Sequence, residues 1–221
     1  DLRHNMAALP SALPGKYFLA NEHEAAGACL LHARDGLGLV DTLEELNDVA
    51  ETAPAGSNGL IFLPWLNGER TPVDDHTIRG GWTNLSLAHT RPDLLRSILE
   101  GVAFNSRWLL QTVEAFTKQP LGPIVVIGGG ATSDLWCQIH ADVMQRPVRR
   151  VEDYRHAGTR GVALVSAVSL GLLDVETIHD LVSVEQEFTP DPSVAPVYDE
   201  LYDAFVAMYK ATKGIHAKLN G

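Results

Sequence analysis

The sequence predicts an α/β layer fold, and three observations carry that prediction. Short apolar runs such as Leu60-Ile-Phe-Leu63 and Ile124-Val-Val-Ile127 read as strands covered on both faces. Stretches with helical spacing separate them, the longest over 91–117. The run Pro123-Ile-Val-Val-Ile-Gly-Gly-Gly-Ala-Thr-Ser-Asp-Leu-Trp136 ends a strand in three glycines and then opens an amphipathic helix. Nucleotides and phosphates bind at such places, because glycine admits close backbone approach and a helix N-terminus favours negative charge. An ordinary strand-to-helix turn reads the same residues equally well.

The chain has 221 residues, enough for one large domain or one and a half small ones. Its 45% apolar and 20% charged residues are those of a globular protein with a sizeable core. No run approaches the ~18 apolar residues of a membrane span. No leader resembles a signal peptide. Cys29 and Cys137 match no metal or redox spacing, so cytoplasm is the expected compartment. A net charge of −11 with dispersed acids argues against nucleic-acid binding, which needs a basic face. A nucleotide stays open, since glycine-loop amides and a metal ion neutralise phosphates locally.

Residues 1–14 read as a lead-in segment from a preceding domain, because they carry no capping or turn chemistry that would start one. Gly15–Ala20 is predicted as a strand. Asn21 with Glu24 resembles a capping box for a helix to about Arg34. A second helix is expected over Thr42–Glu51, a loop over Pro54–Gly59, and a strand over Leu60–Leu63. Residues 64–81 show no periodicity and hold Asn67, Glu69, Arg70, Asp74, Asp75, Arg79 and Gly80. A polar loop of that length inside a compact domain points to function.

The longest helix is placed at Arg91–Thr117, capped by Thr90, with Pro92 in its first turn. Gly101 interrupts its apolar stripe, at about 1 kcal/mol relative to alanine, and close helix–sheet contact is the preferred reason. Ser133 is the N-cap of a helix to about Gln145, with Leu135, Ile139 and Val143 inward. Pro147–Val151 follows as a strand and Val162–Leu172 as a small-residue helix. From Val175 to the end the chain is read as a C-terminal helical extension of the domain at 15–174. Its closing helix, Val197–Lys218, turns Leu201, Phe205, Met208 and Ile215 to one side.

Gly128-x-Gly130-x-x-Ser133 nearly matches a dinucleotide fingerprint, with Glu152 and Asp153 at ribose-binding distance. An NAD-dependent oxidoreductase is therefore a rival. Against it, a single such unit lies deep in the chain, whereas dinucleotide folds open with it and repeat it. The nine histidines form no zinc pattern, and neither a Gly-x-Ser-x-Gly elbow nor a P-loop is present. Asp74 and Asp75 could hold a metal or take a proton, and equally serve as turn formers. Arg79 could meet a phosphate or brace its loop. Thr132 and Ser133 could bond an adenosine, cap the helix, or do both.

Several motifs then occur in one order: Gly59-Leu-Ile-Phe-Leu-Pro-Trp-Leu-Asn-Gly-Glu-Arg-Thr-Pro72, Leu87-Ala-His-Thr-Arg91, Leu99-Glu-Gly-Val-Ala-Phe104 and Gly128–Trp136. Together, over about Gly15–Leu173, they resemble the C-terminal domain of the FGGY family of carbohydrate kinases, and most of all its xylulokinase branch. The resemblance implies an actin-like ATPase fold of two ribonuclease-H-like domains. It also implies ATP with Mg2+ in the cleft between them, and γ-phosphoryl transfer to a sugar hydroxyl. By that analogy Gly128, Gly129 and Gly130 lie against adenosine and phosphates, and Ser133 sits where some relatives place an adenine-contacting asparagine. Asn84 stands where relatives often carry a glycine lining the same pocket. Asp74, Arg79 and Gly80 match a family loop near the cleft.

No segment matches Asp-x-Gly-Thr-Ser or the usual Gly-Asp pair of the base. The resemblance therefore assigns the sugar site and catalytic aspartate to an N-terminal domain, with this chain inactive alone and without catalytic or metal-ligating residues of its own. An exposed cleft face gives such a chain reason to form a homodimer. A non-catalytic nucleotide-binding or interaction module descended from such a kinase is the alternative.

Overall fold

A computed structural model describes residues 4–11 and 15–221, so the expected lead-in segment lies partly outside the described residues. An antiparallel hairpin comes first, β1 (Ala7–Pro10) against β2 (Tyr17–Ala20). Strand β1 leaves no sequence signal, because all four of its residues are exposed and it has no alternating apolar face.

The expected capping box at Asn21 and Glu24 does not form. Helix α1 starts later, at Gly27–Leu31, and continues as a wider turn over His32–Gly36. The Glu24 amide instead donates to Glu69 Oε1 at 2.8 Å. A buried carboxylate 45 residues away outcompetes the local cap. Helix α2 (Leu43–Glu51) follows the sequence closely, with the Thr42 hydroxyl accepting the Glu45 amide at 3.0 Å.

Strands β3 (Ile61–Leu63) and β4 (Gly81–Thr83) pair antiparallel on either side of the irregular 64–80 loop. Fully buried Glu69 organises this loop, accepting also from Asn105 Nδ2 at 2.6 Å. Asp75 Oδ1 accepts from the Thr77 amide and hydroxyl and the Ile78 amide. Asp75 is therefore a turn former. Asp74 faces His76, and Arg79 donates to the carbonyls of His76 and Ile78, bracing the loop.

Helix α3 (Arg91–Thr117) has the predicted bounds. The Asp93 carboxylate accepts the amide and hydroxyl of Thr90 at its start. A Cβ built on Gly101 would lie 2.1 Å from the Phe62 carbonyl oxygen, so this glycine lets α3 lie directly on β3. One residue earlier, buried Glu100 accepts from Arg96 Nε (2.8 Å), Tyr198 OH (2.9 Å), the Gly56 amide (2.9 Å) and Ser57 Oγ (2.7 Å). Burial pushes its pKa up, and Arg96 opposes the shift. The cluster fixes a left-handed turn in which Gly56, Ser57, Asn58 and Gly59 all have positive φ.

The last sheet has the order β5 (Ile124–Val126), β6, β7. Helix α4 (Asp134–Met144) joins β5 to parallel β6 (Val148–Val151). Helix α5 spans Ala157–Ser169, starting five residues before the expected Val162, and none of its residues is buried. Strand β7 (Val184–Phe188) pairs antiparallel with β6. The supposedly helical C-terminal extension therefore also completes this sheet. Helix α6 (Ala195–Asn220) buries Tyr198, Leu201, Tyr202 and Phe205, a stripe of helical spacing that packs with Trp65 and Phe104. Ile215, expected on that stripe, is exposed, because α6 has passed the core by that point.

Replacing Gly101 with alanine separates two effects of opposite sign. Helix propensity alone would stabilise the chain by about 1 kcal/mol. The Phe62 contact instead predicts a loss of about 2 kcal/mol, read by urea unfolding.

Candidate functional site

The glycine turn stands where β5 hands the chain to α4. Gly128 takes φ +78° with ψ −162°, an extended positive-φ conformation open essentially to glycine alone, and its amide donates to the Tyr154 carbonyl at 2.9 Å. Gly129–Thr132 then form a short helical turn before α4 begins. The first N–H groups of such a turn have no intrahelical partner. Here they belong to exposed Gly129 and Gly130. A Cβ on Gly129 would meet nothing within 4 Å, so that position is open. One on Gly130 would press on the Trp136 ring at 3.2 Å.

Ser133 caps α4 as expected, accepting the Trp136 amide at 3.0 Å. Its proton goes to Asn47 Oδ1 on α2, 2.7 Å away. The hydroxyl is thus used as both donor and acceptor by the protein itself. Trp136 Nε1 donates to the Leu99 carbonyl at 3.1 Å, fastening the first turn of α4 to α3.

The structure brings Gly128, Gly129, Gly130 and Ser133 together and holds Asn84 by a different strand. Asn84 follows β4, is exposed, and donates from Nδ2 to the Gly59 carbonyl at 3.0 Å. Its φ of 64° is one that asparagine tolerates better than most residues. Gly80 has a packing role: a Cβ there would fall 1.9 Å from the Leu63 carbonyl oxygen. Among the described residues no group of three or more His, Cys, Asp or Glu could hold a metal.

Beside the turn lies a cavity of about 340 Å³, lined among others by His23, Val102, Ser106, Gly130, Trp136 and His140. His140 stacks on Trp136 at 5.5 Å between centroids. His23 Nε2 is buried with no hydrogen-bond partner among the described residues. Burial lowers both imidazoles to about 4, with repulsion between the two adding to the shift at His140.

Sequence reasoning passed over Asn47, Tyr154 and Arg150. Arg150 had a signal, since alternation in Val148-Arg-Arg-Val151 sets Arg150 on the face of buried Val148. Asn47 had none, being 86 residues from Ser133. Glu152 and Asp153 directly follow β6. The Glu152 carbonyl accepts from Arg160, and the Asp153 carboxylate lies 2.7 Å from His156 Nδ1. Antiparallel β7 on the far side of β6 also departs from a dinucleotide fold, whose sheet continues parallel.

Residues 6–170 match the family model described as the FGGY family of carbohydrate kinases, C-terminal domain. The chain belongs to that family. It is 29% identical over 219 residues to a xylulose kinase of Staphylococcus epidermidis, covering 97% of this chain and 43% of that protein. A crystal structure of ligand-bound xylulose kinase from Lactobacillus acidophilus aligns with a TM-score of 0.87 at 30% identity, over 97% of this chain and 44% of that one. Gluconate kinase from the same organism aligns with a TM-score of 0.86, also at 30% identity, over 97% and 44%. The fold is α/β of the actin-like ATPase kind. The chain spans less than half the length of these relatives.

Stability should respond to the two histidines with a definite sign. Their folded pKa values of about 4 lie below the ordinary 6.5, so the unfolded chain binds more protons between those values. The histidine contribution is complete above pH 6.5 and is lost as pH falls toward 4. Urea titrations at pH 7 and 5 should show this loss, and His140→Gln should reduce it.

Proposed function

We propose that this chain is the nucleotide-binding half of an ATP-dependent sugar kinase acting on a ketose such as xylulose. The observation that carries the reading is the open face at Gly129, where unobstructed backbone opens the short helical turn that leads into α4. Peptide dipoles and free N–H groups there favour an anion. Gly128, Gly129 and Gly130 would lie against adenosine and phosphates. Ser133 contributes chiefly by holding the turn, and Asn84 would line the pocket from β4.

Among the described residues no three carboxylate, imidazole or thiol groups gather to hold a magnesium ion by themselves. Mg2+ would arrive on the nucleotide phosphates, with any protein ligands elsewhere. Phosphoryl transfer also needs an oriented hydroxyl and a base, which we assign to an N-terminal domain of the full-length protein. On this reading the chain alone phosphorylates nothing. The S. epidermidis and L. acidophilus names support xylulose, and gluconate kinase keeps the substrate class at sugars and sugar acids. A cytoplasmic setting agrees with this chemistry, and no helix among the described residues is long and apolar enough to cross a membrane. The charge of −11 disfavours nucleic acid. Exposed Val125 and Ile127 give the chain an edge through which it would self-associate as a homodimer.

Calorimetric titration of Mg-ADP tests the proposal. The wild type should bind, NADH should not compete, and Gly129→Val should weaken binding at least ~100-fold while leaving the melting temperature unchanged, because the added side chain has room. Undiminished binding by the valine variant, or tight NADH binding that ADP cannot displace, would overturn it. A coupled assay with xylulose should show no sugar-dependent ADP formation by this chain.

A further inference from the structure

We propose that Arg150 is a positioning residue of the glycine turn, holding its backbone in the shape that receives a nucleotide; the inference rests on the reading of that turn given above. Arg150 sits in the middle strand of the last sheet, in register with Val126 of β5 and Gln186 of β7. It is only 7% exposed. Nη1 donates to the Ala131 carbonyl at 3.1 Å and to Asp134 Oδ1 at 2.6 Å. Nη2 donates to Gln186 Oε1 at 2.6 Å and faces Glu185 at 3.4 Å. The guanidinium lies over the rings of Tyr154 (5.2 Å) and Phe188 (5.6 Å).

These contacts reach both ends of the turn. Tyr154 receives the Gly128 amide through its carbonyl, where the turn begins. Ala131 and Asp134 stand where it ends. A buried cation is costly unless paired and hydrogen-bonded, and an apolar side chain would pack this face as Val148 does. What arginine adds is a planar fork that fixes several acceptors at once. Nη1 and Nη2 are both engaged with protein groups, so Arg150 acts through Ala131 and the α4 start rather than on the nucleotide.

The test pairs Mg-ADP titration with hydrogen exchange at the bonded amides of the turn, Gly128 (to the Tyr154 carbonyl) and Ala131 (to the Gly128 carbonyl). Arg150→Met should bind Mg-ADP about tenfold or more weakly and exchange those amides faster, with β5 and β6 still protected. Arg150→Lys should recover only part, because an ammonium cannot span Ala131 and Gln186 together. Arg149→Met, which removes an exposed ion pair with Glu187 on the opposite face, should match wild type. If Arg150→Met fails to fold, Gln186→Leu carries the test, with weaker binding and faster exchange expected. Wild-type affinity and exchange in Arg150→Met, or in Gln186→Leu where that variant stands in, would overturn the proposal, as would equal losses in Arg149→Met. A wild type that binds no Mg-ADP, or binds it regardless of Gly129→Val, would refute the nucleotide reading itself. The exchange data would still judge the bracing.

Discussion

The closeness of α3 to β3 at Gly101 is the constraint from which the rest of the molecule is positioned. With no side chain at that point, the helix backbone meets the Phe62 carbonyl directly. Any larger residue would push the helix off the sheet, and a packed interior does not absorb such a shift without strain. The two residues before Gly101 then fasten other parts. Glu100 gathers α6 and the left-handed turn before β3, while the Leu99 carbonyl receives the Trp136 indole and so sets the start of α4.

Through that last bond the core determines where the glycine turn stands. The turn is also held from α2 by Asn47, from the 154 loop by the Tyr154 carbonyl, and from the sheet by Arg150. Its own residues supply little beyond accessible backbone. This is a division of labour suited to binding a phosphorylated ligand. Glycine allows approach, the helix end favours negative charge, and distant side chains keep the arrangement from collapsing. The chain's overall charge of −11 makes such local concentration of positive potential necessary for any anion to settle there.

The long helix and the cap at Ser133 were legible in the sequence because their signals are local: a 3.6-residue apolar period with Pro92 in the first turn, and a serine before an amphipathic run. The purpose of Gly101 was legible too, since a glycine inside a strong helix needs a packing reason. The capping box at Asn21 and Glu24 failed because Glu69 claims the Glu24 amide across 45 residues. Strand β7 was hidden in the polar run Val184-Glu-Gln-Glu-Phe188, which alternates only weakly and joins the sheet through Arg149 and Arg150. At the candidate site, the strand-to-helix turn of the glycines and the Ser133 cap could be read directly. The partners that occupy Ser133 and brace the turn come from α2, β6 and the 154 loop, and no spacing rule connects residues that far apart.

A crystal structure of the chain grown with Mg-ADP would show where the nucleotide lies. Density for the phosphates or adenosine against the backbone of Gly128, Gly129 and Gly130, with Arg150 still bonded to Ala131, is the predicted result. Nucleotide density on any other surface, with that backbone facing only solvent, would contradict it.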